Sequence, residues 1–309
     1  MTAQLATPVV FIIYKRPETT RRVFEVIARA RPSKLLVIAD GPRSPEETSP
    51  CEAARAIINA VDWDCEVLTE YADANLGLKR RVSSGLDWVF AQVDEAIILE
   101  DDCLPDITFF RFCEELLGYY REEPGIMHIS GDNFLGERLP IDTSYYFSRY
   151  PHIWGWATWK RAWQHYDVEM RLWTESTDRQ KFLSQFRSRN ERNFWRYTWA
   201  RTAAGRVDTW DFQWTFACLA RNGLAILPAR NLVSHIGVGA AATHTRKHRL
   251  TDAMPTYPMD FPLRHPSAII WHETADALSA RDAILNRPSG NRMVDTLRGI
   301  AKRVKWELS

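Results

Sequence analysis

The chain has 309 residues, 45% of them hydrophobic and 26% charged, with 40 basic against 39 acidic side chains and a formal net charge of +1. That composition suits one large globular domain or two intimate ones, and so even a balance provides no field to gather DNA or RNA, so no nucleic-acid partner is expected. Five cysteines without a CxxC pair read as a reduced, cytosolic protein lacking a zinc site.

The first apolar run, Val9 to Tyr14, is cut off by Lys15-Arg16-Pro17. It falls well short of the roughly 20 residues of a membrane span and lacks signal-peptide flanks, so it reads as a buried strand. Pro17 then sits where a helix can start, with Val23, Ile27 and Ala30 at helical spacing. Leu35 to Ala39 is a second strand, closed by the turn signal Asp40-Gly41-Pro42. Ser49-Pro50-Cys51-Glu52 reads as a capping box opening a helix through Val61. A third strand over Glu66 to Tyr71, a helix from Leu78 to Phe90 and a fourth strand over Ala96 to Leu99 follow.

Strands alternating with amphipathic helices imply an α/β fold with a mostly parallel, Rossmann-like sheet covered on both faces. Asp40 and Glu100-Asp101-Asp102 then fall at the C-terminal strand ends, where open α/β sheets bind ligands. Beyond a helix at Ile107 to Tyr120 and a strand at Ile126 to Ser130, the chain becomes aromatic and less regular. Helices are expected over Thr158 to His165, Asp178 to Ala204 and Phe212 to Arg221, and a basic amphipathic one over Met293 to Trp306. Three parts follow: a first half over 1–105, a second half of the same domain over 106–250, and an extension over 251–309.

Three adjacent carboxylates after an apolar strand repel one another unless a cation offsets them, which suits metal binding. A solvated strand end, or a cap from Asp102 on the next helix, would look the same. No GxxxxGKS/T or GxGxxG occurs, so P-loop and dinucleotide readings lose their support. Lys79, Arg80 and Arg81 at the start of a helix would attract a diphosphate, or form a solvated basic turn. In Trp210-Asp211-Phe212-Gln213-Trp214 the acid between rings suits a proton acceptor, or a helix cap. His235 could bind a metal or phosphate, or be a satisfied core residue.

The polar loop Thr243 to His248, with its i,i+4 histidine pair, reads as a basic loop able to close over a diphosphate. Thirteen tryptophans, nine of them between positions 154 and 214, suit a sugar site as readily as a core.

PVVFIIYKRPETTRRVFEVI, LLVIADGPR, NLGLKRRVSSGLDWVF and AIILEDDCLPDITFFRFCEELLGYY resemble bacterial glycosyltransferases related to N-acetylglucosaminyltransferase I, often described as family-2-like sugar transferases. IMHISGDNF, HIWGWATWKRAW, TWDFQW and NLVSHIG extend the resemblance over about residues 8–240. It implies a GT-A fold, a divalent cation (Mn²⁺, or Mg²⁺) and inversion at the anomeric carbon, with nucleotide-sugar binding in the half over 1–105 and acceptor binding in the half over 106–250. Arg16 would border the nucleotide and Asp40 would hold base or ribose. Lys79 and Arg80 would meet the diphosphate. Asp102 would ligate the metal, with Asp101 towards ribose or sugar, Glu100 in support and His235 as a second metal or phosphate contact. Asp211 would deprotonate the acceptor, and Trp154, Trp156, Trp159 and Trp210 would line the sugar and acceptor cleft.

The expected activity is transfer from a nucleotide-sugar donor, a UDP-sugar for preference, to a glycan, lipid-linked or protein acceptor in bacterial surface-glycan synthesis. The competing readings are a sugar-phosphate nucleotidyltransferase, which would want a Gly-rich basic loop after the first strand, and an inactive carbohydrate-binding scaffold. The expected location is the cytoplasm, with the tail helix either on the inner membrane surface or packed on its own domain.

Overall fold

A computed structural model describes residues 4–237 and 253–286. Its centre is an eight-stranded sheet in the order β3-β2-β1-β4-β8-β6-β9-β7. The strands are β1 (Val9–Ile13), β2 (Lys34–Ala39), β3 (Glu66–Tyr71), β4 (Glu95–Glu100), β6 (Ile126–Ser130), β7 (Tyr145–Ser148), β8 (Trp156–Trp159) and β9 (Leu224–Pro228). A two-stranded antiparallel ribbon joins β5 (Cys103–Pro105) to β10 (Val233–His235).

The first four strands are parallel, with β1 between β2 and β4. The chain steps outwards from β1 through β2 to β3, then returns to the other side of β1 as β4. The order therefore reverses between β1 and β4, and their C-terminal ends flank the crevice where open α/β sheets place a ligand. The sheet is mostly parallel, as expected: β6 and β9 also pair in parallel, and two strands, β8 and β7, run against the rest. β8 runs antiparallel to both β4 and β6, and β7 antiparallel to β9, so the far half is mixed.

Side-chain alternation assigns the two faces. Val9, Phe11 and Ile13 of β1 join Val23, Phe24 and Ile27 of α1 (Pro17–Ala30) on one side. The same core takes the aromatic face of α4 (Thr108–Tyr119). Val10 and Ile12 point the other way, to Val82, Leu86 and Val89 of α3 (Leu78–Gln92). Each fully buried Val, Leu or Phe is worth roughly 1.5–3 kcal/mol of transfer free energy, so a sheet covered on both faces is the stable solution for strands this apolar.

Several expected elements differ. Ser49 does not cap a helix: a 3-10 turn over Pro45–Glu47 runs directly into α2 (Thr48–Ala56), whose start has no side-chain cap. Trp156–Trp159 is a strand and only Lys160–Trp163 is helical (α5), because the β4 edge offers Trp156 to Trp159 a ladder partner. The long helix expected over Asp178 to Ala204 is two, α7 (Gln180–Leu183) and α8 (Arg189–Ala203), preceded by α6 (Arg171–Thr174). Ser188 caps α8 by accepting from the Glu191 N–H at 3.0 Å, which sets the break. α9 (Asp211–Ala220) lies where a helix was expected, and α10 (Glu273–Asn286) was not anticipated.

Eight of the nine clustered tryptophans are buried, and Trp154 is the half-buried exception. Trp173, Trp195 and Trp199 form an aromatic core with Phe182, Phe186 and Phe216, which holds α6 to α9 together. Among the described residues no helix is long and apolar enough to cross a membrane. The loop Thr243 to His248 and the tail over Met293 to Trp306 lie outside the described residues.

Candidate active site

Pro17 fixes the first turn of α1 and keeps the residue before it out of the helical region, so Arg16 is held at the C-terminal end of β1. There its guanidinium grips both aspartates that follow β4. Nη2 binds Asp101 Oδ1, and Nη1 lies 2.8 Å from Asp102 Oδ2. The Tyr14 N–H adds a contact to Asp101 Oδ2 at 3.3 Å. Both aspartates are buried.

The ribbon brings the second half of the chain to the same point. His235 pairs with Cys103 in register, and the Ile236 N–H donates to the Asp102 carbonyl at 2.8 Å. This sets His235 Nε2 3.3 Å from Asp102 Oδ2. Trp154 stacks on the His235 ring at 4.4 Å between centroids. Gly155 allows that placement: its φ is +67°, and a Cβ there would strike Val233 at 2.7 Å. At Gly237 the backbone passes so close that a Cβ would stand 2.2 Å from Asp102 Oδ2 and 2.8 Å from Arg16 Nη1.

The cluster holds more negative charge than its one guanidinium can offset. Burial, then the charges of Asp102 and Asp101, push Glu100 up to about 8, and the charge of Asp211 adds to this. Glu100 keeps part of its surface exposed, so water at the strand end moderates the effect. Burial also raises Asp101, to about 6, against the pull of Arg16. Asp102 goes the other way: burial opposes its charge, but the His235 hydrogen bond and the Arg16 charge hold it below the usual carboxylate range.

Such an excess is what a divalent cation relieves. Among the described residues no three His, Cys, Asp or Glu groups surround a common point. Asp102 and His235, 3.3 Å apart, are the two side chains here that could serve such a cation, whose other ligands would then have to be oxygens from outside the protein, such as substrate phosphates.

Asp211 occupies the first turn of α9, where the helix dipole favours a carboxylate, and the Thr209 hydroxyl donates to its Oδ1. No protein-family model matches the chain, and no curated protein does. Two solved structures show distant likeness. One is a UDP-glucose pyrophosphorylase complexed with UDP-glucose, at 10% identity, 52% of this chain, 70% of that chain and a TM-score of 0.27. The other is a 4-diphosphocytidyl-2C-methyl-D-erythritol synthase from Anaerococcus prevotii, at 9% identity, 56% and 79% coverage and a TM-score of 0.32. Likeness this slight says nothing about the chemistry.

The structure thus brings together Arg16, Glu100, Asp101, Asp102, His235 and Trp154, with Asp211 in electrostatic reach. Other expected site residues have different work. The Asp40 carboxylate already accepts from the N–H groups of Gly41, Leu76 and Gly77 and from the Asn75 amide, at 2.8 to 3.1 Å, so it organises the turn before α3. Lys79 turns its ammonium towards Glu169 at 3.8 Å, and its N–H is capped by Asp208 at 3.1 Å. Arg80 is exposed, and Arg81 is buried against Glu70.

Trp156, Trp159 and Trp210 do not line a cleft. Trp159 pairs with Glu95, at the end of β4 remote from the acids, and Trp156 stacks on Trp210 inside the α3-side core. Sequence reading also passed over a second polar chain. Buried His128 accepts from Trp214 Nε1 at 3.1 Å and bonds the His152 carbonyl at 2.7 Å, and His152 Nδ1 meets buried Asp132 at 2.9 Å. The sequence signal was there in IMHISGDNF and HIWG, in which Trp154 alone was given a role.

Proposed function

We propose that this protein is a metal-dependent, inverting glycosyltransferase of GT-A type that uses a nucleoside-diphosphate sugar. The observation that carries the reading is the convergence of Asp102 and His235, from opposite halves of the chain, at the switch point of the sheet. Asp102 and His235 would hold Mn²⁺ or Mg²⁺, which when bound supplies charge neutralisation to the departing diphosphate.

The chain's own residues would do the rest. Arg16 keeps Asp101 and Asp102 ionised and positioned. Trp154 offers an apolar ring face to a sugar. Asp211 accepts the proton of the acceptor hydroxyl. The new bond joins the acceptor oxygen to the anomeric carbon, the bond from that carbon to the phosphate oxygen breaks, and the nucleoside diphosphate leaves with the electron pair. A single displacement inverts the anomeric centre and needs no enzyme nucleophile.

The test is the phosphate product. Incubation with a panel of nucleotide sugars and Mn²⁺ should release free nucleoside diphosphate from one donor. Release of pyrophosphate from a nucleoside triphosphate and a sugar phosphate would establish nucleotidyl transfer instead. Asp211→Asn should keep donor binding and lose transfer by about 10²–10⁴-fold, the usual contribution of a general base. Binding of a sugar without either product would point to a scaffold.

A further inference from the structure

Ile269, Ile270 and Trp271 are consecutive in sequence and 43%, 69% and 38% exposed. Scattered exposed aliphatics are ordinary, but three adjacent large apolar residues form a patch that calls for an occupant. The run is pinned along the edge strand β7. Trp271 forms a parallel bridge with Phe147, and the His272 N–H donates to the Phe147 carbonyl at 2.7 Å.

Two arginines flank it, and Arg149 is itself paired with buried Asp276 at 3.1 Å. The Arg149 guanidinium lies 5.1 Å over the Trp271 ring and donates to the Gln185 carbonyl at 2.6 Å. Arg187 pairs with Glu273, two residues beyond Trp271. These contacts set the apolar run against the connection between α7 and α8. From Arg179 to Arg206 the chain carries eight Lys or Arg residues and one acid, Glu191, in a protein whose total charge is only +1. Glu191 is buried against the Tyr150 hydroxyl, whereas Lys181, Arg189, Arg196 and Arg201 are exposed.

We propose that Ile269–Trp271 and the basic α7–α8 face form a docking surface for a bilayer rich in anionic lipid headgroups. Basic side chains near such a surface are drawn to it, while Trp favours the interface and the aliphatic residues the acyl region. A polyanion such as RNA matches the charge but gains nothing from two isoleucines, which have no ring face to stack. This surface stands apart from the acid cluster and does not depend on the transfer reading.

The test is co-sedimentation of the full chain with vesicles of phosphatidylcholine, with and without phosphatidylglycerol. Binding should be at least tenfold stronger with phosphatidylglycerol. Ile269→Ser/Ile270→Ser should weaken it roughly tenfold with the melting temperature unchanged, and Arg189→Glu/Arg196→Glu should weaken it as much or more. No preference for the anionic vesicles would overturn the proposal. So would binding indifferent to the two serines, which would place the contact elsewhere, or an isoleucine-dependent dimer forming without vesicles.

Discussion

Replacing Arg16 with methionine removes the guanidinium that bridges Asp101 and Asp102 and leaves the apolar stem in place. The three side chains are 18%, 3% and 11% exposed, so the stranded carboxylates have little water to turn to. Breaking a buried ion pair from one side typically costs about 3–5 kcal/mol. A chain of 309 residues has an unfolding entropy near 0.65 kcal/mol/K at about 2.1 cal/mol/K per residue. The melting temperature should therefore fall by about 5–8 °C at pH 7.5 in the absence of divalent ions. Millimolar Mn²⁺ should recover part of that loss, and should raise the variant's melting temperature more than it raises the wild type's, because the cation then replaces a missing charge. Differential scanning calorimetry with and without Mn²⁺ reads both effects. A variant as stable as wild type, or one that Mn²⁺ stabilises no further than wild type, would refute the reasoning that Arg16 is the counter-charge of this cluster.

Other outcomes follow from the same geometry. Burial holds His128 at about 3, against an ordinary value of 6.5, so the folded state keeps it neutral while the unfolded chain takes up a proton below pH 6.5. Stability is thus undiminished above that pH and lost between 6.5 and 3, amounting to about 2 kcal/mol at pH 5 from this residue. Urea unfolding at pH 7.5 and 5 measures it, and His128→Gln should remove that share. Gly237→Ala drives a methyl into Asp102 and Arg16, and should weaken Mn²⁺-dependent nucleotide binding more than tenfold by titration calorimetry, while far-ultraviolet dichroism stays native. Asp40→Ala leaves three backbone N–H groups of the turn without their acceptor, at a cost of about 2–3 kcal/mol in urea unfolding.

The first hundred residues were legible because their signals are local. Continuous apolar runs of strand length, Pro17 at a helix start and acids at a strand end are readable within a few residues, and β3 and β6 fall on their expected bounds. The convergence of His235 on Asp102 was not readable from local pattern and was expected only through the family resemblance. It depends on the three-residue ribbon of β5 and β10, too short to show periodicity, across more than a hundred residues of chain. The tryptophans misled for a related reason. Trp156 and Trp210 have the composition of a sugar platform, yet which face of the sheet they meet is decided by the pairing of β8 with β4, a non-local event. Asp40 shows the limit of motif reading: an acid at a strand end looks the same whether it awaits a ribose or already holds its own loop.

The proposed activity requires a cation and a nucleoside diphosphate to pair at Asp102 and His235. Titration calorimetry with a panel of nucleoside diphosphates, in Mn²⁺ and then in EDTA, addresses it for the wild type and for Asp102→Asn. One nucleotide should bind in Mn²⁺ and at least tenfold more weakly in EDTA, and Asp102→Asn should abolish this difference. Equal affinity in Mn²⁺ and EDTA, or no binding of any nucleotide by a folded protein, would contradict that pairing.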